Sequence, residues 1–62
     1  MKRILLLKQM NESDVSTIEL LLQSSGIECQ VSLATKAVIL HGDNDVLANA
    51  RRILVEYGYE LL

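Results

Sequence analysis

Apolar and polar positions along this chain fall into two rhythms that recur in each half. Lys2–Lys8 holds a short apolar run, Ile4–Leu7, bounded by charge on both sides, and it predicts a first strand. Val15, Ile18, Leu22 and Ser25 then keep helical spacing, Leu21 widens the apolar face, and Gly26 is the residue type that ends a helix most readily. Ile27–Leu33 alternates cleanly. Ile27, Cys29, Val31 and Leu33 fall on one face and Glu28, Gln30 and Ser32 on the other, the pattern of a half-buried strand. Ala34-Thr35-Lys36 makes a tight connection into Ala37–His41, a nearly continuous apolar run. Gly42-Asp43-Asn44-Asp45 combines a turn with helix-capping side chains. Val46, Leu47, Ala50, Ile53, Leu54 and Tyr57 return to helical spacing as far as Gly58, and Tyr59–Leu62 predicts a short last strand.

The predicted order is β-α-β-β-α-β, so each half is strand, helix, strand, a weak structural repeat without clear sequence identity. Right-handed crossovers predict an α+β, ferredoxin-like sandwich: a four-stranded antiparallel sheet in the order 4-1-3-2 with both helices on one face. Strands one and three are then central. Leu5, Leu7, Ala37 and Ile39 are expected to face the helices, and Ile4, Leu6, Val38 and Leu40 the uncovered side. Four aliphatic residues on adjacent strands form the kind of exposed patch that marks an association surface. A homodimer or a protein partner is expected there, although flanking Lys and Arg stems cover part of any such patch.

Length sharpens that expectation. A chain of 62 residues predicts a single domain, residues 1–62, below the roughly 70–80 at which one core is comfortably stable. Half of the residues are hydrophobic, with no Trp, Phe or Pro and only Tyr57 and Tyr59 as aromatics, so the core is expected to be aliphatic. The net charge is −2, and Lys2, Arg3, Lys8, Lys36, Arg51 and Arg52 are dispersed. Neither a basic face nor an aromatic stacking platform is present, which argues against nucleic acid. Lone Cys29 excludes an internal disulfide. The opening Met-Lys-Arg-Ile-Leu-Leu-Leu-Lys imitates a signal peptide, but its apolar run is too short for one or for a membrane span. A soluble cytoplasmic domain with no membrane association is the expectation.

The loop Lys8–Ser13 joins the first strand to the first helix, where a small α/β domain keeps its chemistry. It holds no cysteine, histidine or glycine-rich cradle. Asn11, Ser13 and Asp14 are capping types, and Ser16 with Glu19 adds a second capping-box spacing. Glu12 and Asp14 fall short of the six to eight oxygens a calcium site needs. Cys29 alternates with core positions and reads as a small hydrophobe. His41 ends a strand without a matched partner. No catalytic set is suggested, so no enzyme, cofactor or metal is expected.

Several stretches together resemble the heavy-metal-associated domain of copper chaperones and metal-transporting P-type ATPases. Met10 followed by Ile18-Glu19 is similar to the family's loop methionine and first-helix Ile/Val-Glu. Gly26-Ile27 and Val31-Ser32-Leu33-Ala34-Thr35 are similar to its second strand and hairpin. Asp43–Ala50 and Tyr57-Gly58-Tyr59-Glu60 are similar to its second helix and closing Gly-Tyr. The resemblance implies the same sandwich, and a Met10 packed beneath the loop. The family's Met-x-Cys-x-x-Cys motif is missing: Glu12 and Val15 stand near the cysteine positions, and the interval to Ile18 is one residue short. Thiolates are what select soft ions, so metal transfer is not carried over.

The function expected is a non-catalytic module of this type, lacking the thiolate site and acting through self-association or partner docking. An alternative is an atypical copper or zinc binder using Met10, Cys29 or His41. A second alternative is an ACT-like regulatory domain, which usually has a Gly-rich turn after strand one that this chain lacks. An acylphosphatase-type enzyme is disfavoured by length and by the absence of an Arg/Asn phosphate site in the loop.

Overall fold

The computed structural model describes residues 1–62. It contains β1 (Lys2–Leu6), α1 (Glu12–Ser24), β2 (Cys29–Ser32), β3 (Ala37–His41) and α2 (Asn44–Glu56). The three strands form one antiparallel sheet in the order β1-β3-β2. The expected fourth strand, Tyr59–Leu62, is reduced to one bridge, Leu7 to Leu61. Backbone bonds from Lys8 N–H to Glu60 C=O (3.0 Å) and from Leu62 N–H to Leu6 C=O (2.9 Å) lay it along the outer edge of β1. The class is α+β, with a three-stranded sheet and two helices.

Both helices are closed by the same local chemistry. Asp14 extends its carboxylate back to accept the Asn11 N–H at 2.7 Å, fixing the entry of α1. Asp43 accepts from the Val46 N–H at 3.1 Å at the entry of α2. At the exits, Ile27 N–H reaches Leu22 C=O and Gly26 N–H reaches Gln23 C=O, both at 2.9 Å. Tyr59 to Leu54 and Gly58 to Val55 repeat that pair at 3.0 Å each. These are Schellman closures, and they put a glycine in the left-handed region at each exit. The N-caps Asn11 and Asp43 and the exit glycines Gly26 and Gly58 both lie 32 residues apart, so the repeat is real at the level of helix boundaries.

Packing follows from strand register. β1 pairs β3 with Leu5 opposite Val38 and Ile4 opposite Ile39; β2 pairs β3 with Val31 opposite Val38 and Cys29 opposite Leu40. Directly opposed residues share a face. Leu5, Leu7, Val38, Leu40 and Cys29 therefore lie on the helix side, in one buried cluster with Ile18 and Leu22 of α1 and Ala50, Ile53 and Leu54 of α2. Burying each large aliphatic side chain contributes about 1.5–3 kcal/mol. Arg3 shares this face at the end of β1, half-buried, with its Nε lacking a hydrogen-bond partner.

The expected assignment of β3 is overturned. Val38 and Leu40 are fully buried under the helices, and Ala37 and Ile39 take the other face. A continuous apolar run has no alternation of its own, so its face is set by energy and pairing. Burying Val38 and Leu40 removes two more side-chain carbons from water than burying Ala37 and Ile39, about 1.6 kcal/mol. The opposite choice would also turn His41, which shares parity with Ile39, toward the core. Leu33, expected on the core face, lies in the β2–β3 turn and is exposed.

At the β3–α2 junction a glycine is required by close packing as well as by backbone conformation. Gly42 donates its N–H to Met1 C=O at 2.8 Å, and a Cβ at Gly42 would lie 2.6 Å from Val46 Cγ2. Gly42→Ala is expected to destabilise the protein by about 1–3 kcal/mol through overpacking, measured as a lower urea midpoint; an unchanged midpoint would contradict this reading of the junction.

Candidate interaction surface

The sheet face away from the helices has no covering layer within the chain. It carries Ile4, Leu6, Ala37 and Ile39, and the register of the Leu7–Leu61 bridge adds Leu62 beside Leu6. Ile4 is 57 % exposed, Leu6 45 % and Leu62 74 %, whereas Ile39 is half-buried. Ala37 is buried but stands apart from the main core cluster, enclosed between its neighbours Leu6 and Ser32. Of the four residues expected to form the surface, Ile4 and Leu6 lie on it, while Val38 and Leu40 belong to the core and Ile39 takes their place.

Polar groups frame this apolar strip. Lys2 and His41 are opposed at one end of the β1–β3 ladder. Lys8 and Glu60 form a cross-strand ion pair at the other end, 3.5 Å apart and more than half exposed. Such a pair contributes under about 1 kcal/mol and serves mainly to keep that edge in register. Gln30 and Ser32 complete the face on β2.

The residues weighed as metal ligands do not converge. Met10 and Cys29 are buried within the aliphatic cluster, and His41 is exposed on the opposite face of the sheet from Cys29. Burial, reinforced by the Glu19 carboxylate, pushes the Cys29 thiol up from its ordinary range, which holds it in the neutral form. No group of three or more His, Cys, Asp and Glu side chains is arranged to hold a metal ion. Glu12 is exposed, and half-buried Asp14 is engaged in the α1 cap.

Two hollows lie elsewhere. A groove of about 660 Å³ runs between the helices, floored by Leu21, Ile27, Val46 and Ile53. Its charged groups, Arg52 and Glu56, are already paired at 3.1 Å. A smaller hollow of about 240 Å³, lined by Gln9, Asp14, Gly58, Tyr59 and Glu60, sits where the loop meets the last residues of the chain. There the Tyr59 hydroxyl donates to Asp14 Oδ1 at 3.4 Å. Burial, with the Asp14 charge and this bond, pushes the Tyr59 hydroxyl pKa up, so it remains a donor. The arrangement ties Tyr59 to the start of α1.

The sequence reading missed Ile39 and Leu62. His41 could have found the first, because its parity with Ile39 marks that row as solvent-facing. Leu62 becomes visible only once the Leu7–Leu61 bridge fixes its side. No protein-family model, curated protein or solved structure matches the chain, and no helix is long and apolar enough to cross a membrane.

Glutamate substitution separates the two faces. Leu6→Glu is expected to stay folded, within about 1 kcal/mol of the parent, as for an exposed site. Leu40→Glu buries a carboxylate without a partner and is expected to cost more than about 4 kcal/mol or abolish folding. Circular dichroism melts of both variants decide the matter; equal losses would contradict the face assignment.

Proposed function

We propose that this protein is a non-catalytic docking module, a ferredoxin-like domain of the heavy-metal-associated type with a helix cap where that family keeps its thiolates. Its working surface is the open sheet face, and the occupant is a second copy of the chain, stacked face to face. The observation that carries the reading is the aliphatic strip of exposed Ile4, Leu6 and Leu62 with half-buried Ile39, on a sheet whose other face packs against the helices. Apolar side chains gathered on one open face gain most by covering one another, and a twofold stack lets one surface supply both halves.

Charge supports a second copy as the occupant. The face carries cationic Lys2 and Lys8 and anionic Glu60, so neither a polyanion nor a strongly basic partner finds a uniform field there. The capped loop leaves no competing site at the start of α1, because its acid is used on the backbone.

Sedimentation equilibrium between about 10 μM and 1 mM tests the proposal. Concentration-dependent dimerisation is expected, weakened at least tenfold (about 1.4 kcal/mol) by Leu6→Glu. A dimer indifferent to Leu6→Glu, or a strict monomer over that range, would sink it.

A further inference from the structure

The two edges of the sheet are treated differently. The outer edge of β1 is covered by the chain's last residues and flanked by Lys2 and Lys8. The outer edge of β2 is bare. The bond from His41 N–H to Glu28 C=O at 3.2 Å sets the alternation of the β2–β3 ladder. In an antiparallel ladder, that alternation directs the backbone groups of Glu28, Gln30 and Ser32 to β3. The N–H and C=O of Cys29 and Val31 then point outward, and no strand lies beyond them.

Exposed edges are normally guarded by a lysine, a proline, a bulge or an inward charge. Residues 28–33 contain no lysine, arginine or proline, and the β2–β3 register runs without a bulge. The Glu28 charge beside β2 and the shortness of the strand, four residues, are what limit its reach.

We propose that β2 pairs antiparallel with β2 of a second copy, about a twofold axis at Gln30, extending the sheet through the bare edge. The segment is complementary to itself when reversed about that residue. Just outside the four-residue strands, Ile27 and Leu33 of the partner subunit flank the paired segment; Ile27 is buried in its own core, and Leu33 is 41 % exposed in the single chain. Cys29 meets Val31 of the partner subunit, continuing the core row and satisfying the outward backbone groups of both.

On the open face the polar side chains match as donors and acceptors. The Ser32 hydroxyl accepts from Thr35 Oγ1 at 2.9 Å, which leaves its own proton free to donate. Its opposite number is Glu28 of the partner subunit. The Glu28 carboxylate has no hydrogen-bond or ion-pair partner within the chain. On the axis, two Gln30 amides, exposed and unpartnered in the single chain, can each donate to the other. This contact goes beyond the face-to-face stack and uses different residues.

The contact is small, so the pairing is of the weak, transient class. The test is amide hydrogen exchange, read residue by residue at about 20 μM and about 1 mM, on the parent, Leu6→Glu and Gln30→Lys proteins. Exchange at Cys29 and Val31 is expected to slow at least tenfold at the higher concentration in the parent and in Leu6→Glu. Gln30→Lys places two like charges on the axis at an exposed position, and it is expected to abolish that slowing while leaving the melting temperature unchanged. Exchange at those amides that ignores concentration overturns the edge pairing, as does slowing that survives Gln30→Lys. Protection of the two amides only by an added foreign peptide overturns the second copy as occupant. If self-association is lost in Leu6→Glu and the two amides never change, the edge pairing fails while the face-to-face reading stands.

Discussion

The structure depends on the pairing of β3, the central strand, which lies between β1 and β2. Its even residues turn toward the helices, and Val38 sits at the centre of a row with Leu5 on one flank and Val31 on the other. Leu40 does the same with Arg3 and Cys29. Ile18, Leu22, Ala50 and Leu54 close over these rows and are fully buried. A slip of one residue would exchange Val38 and Leu40 for Ala37, Ile39 and His41, losing apolar volume and adding an imidazole to the core. The hydrophobic energy of the domain and the identity of its outer face are thus the same choice.

That choice leaves a face the domain cannot cover. Only 13 of 62 residues are buried, which is what a chain of this size can manage with two helices on one side of a sheet. The helix side takes the large side chains, and β1, apolar at both parities, must then present Ile4 and Leu6 to solvent. The start of α1 is quiet by comparison. Asp14 serves the backbone and Tyr59, and Met10 anchors the loop from below. The apolar side chains and backbone groups left without partners lie on the open face and the bare β2 edge.

How much of this was legible in the sequence depended on how local the cause was. Helix boundaries were readable because caps and exit glycines act within a few residues: Asn11, Asp43, Gly26 and Gly58 stand where their chemistry requires. The alternation of Ile27 to Val31 was readable for the same reason, though Leu33 escaped into the turn. The face of Ala37–His41 was not readable from its apolar residues alone, because a run without alternation takes its parity from its neighbours. The last strand was overextended, since Gly58 closes α2 only three residues before the bridge at Leu61, and the turn takes up residues expected to pair. Half of the candidate surface, Val38 and Leu40, fell with the parity of β3, and Ile39 and Leu62 replaced it.

The central claim is that the chain covers one sheet face by itself and the other only by meeting a second copy. Methyl NMR with a soluble paramagnetic probe reads both faces at once. The account predicts that the Ile4, Leu6 and Ile39 methyls are strongly broadened in dilute protein and shielded progressively as concentration rises, while Val38 and Leu40 stay sharp throughout. Ile4, Leu6 and Ile39 methyls that remain equally broadened at every concentration, or Val38 and Leu40 methyls that broaden with them, would contradict it.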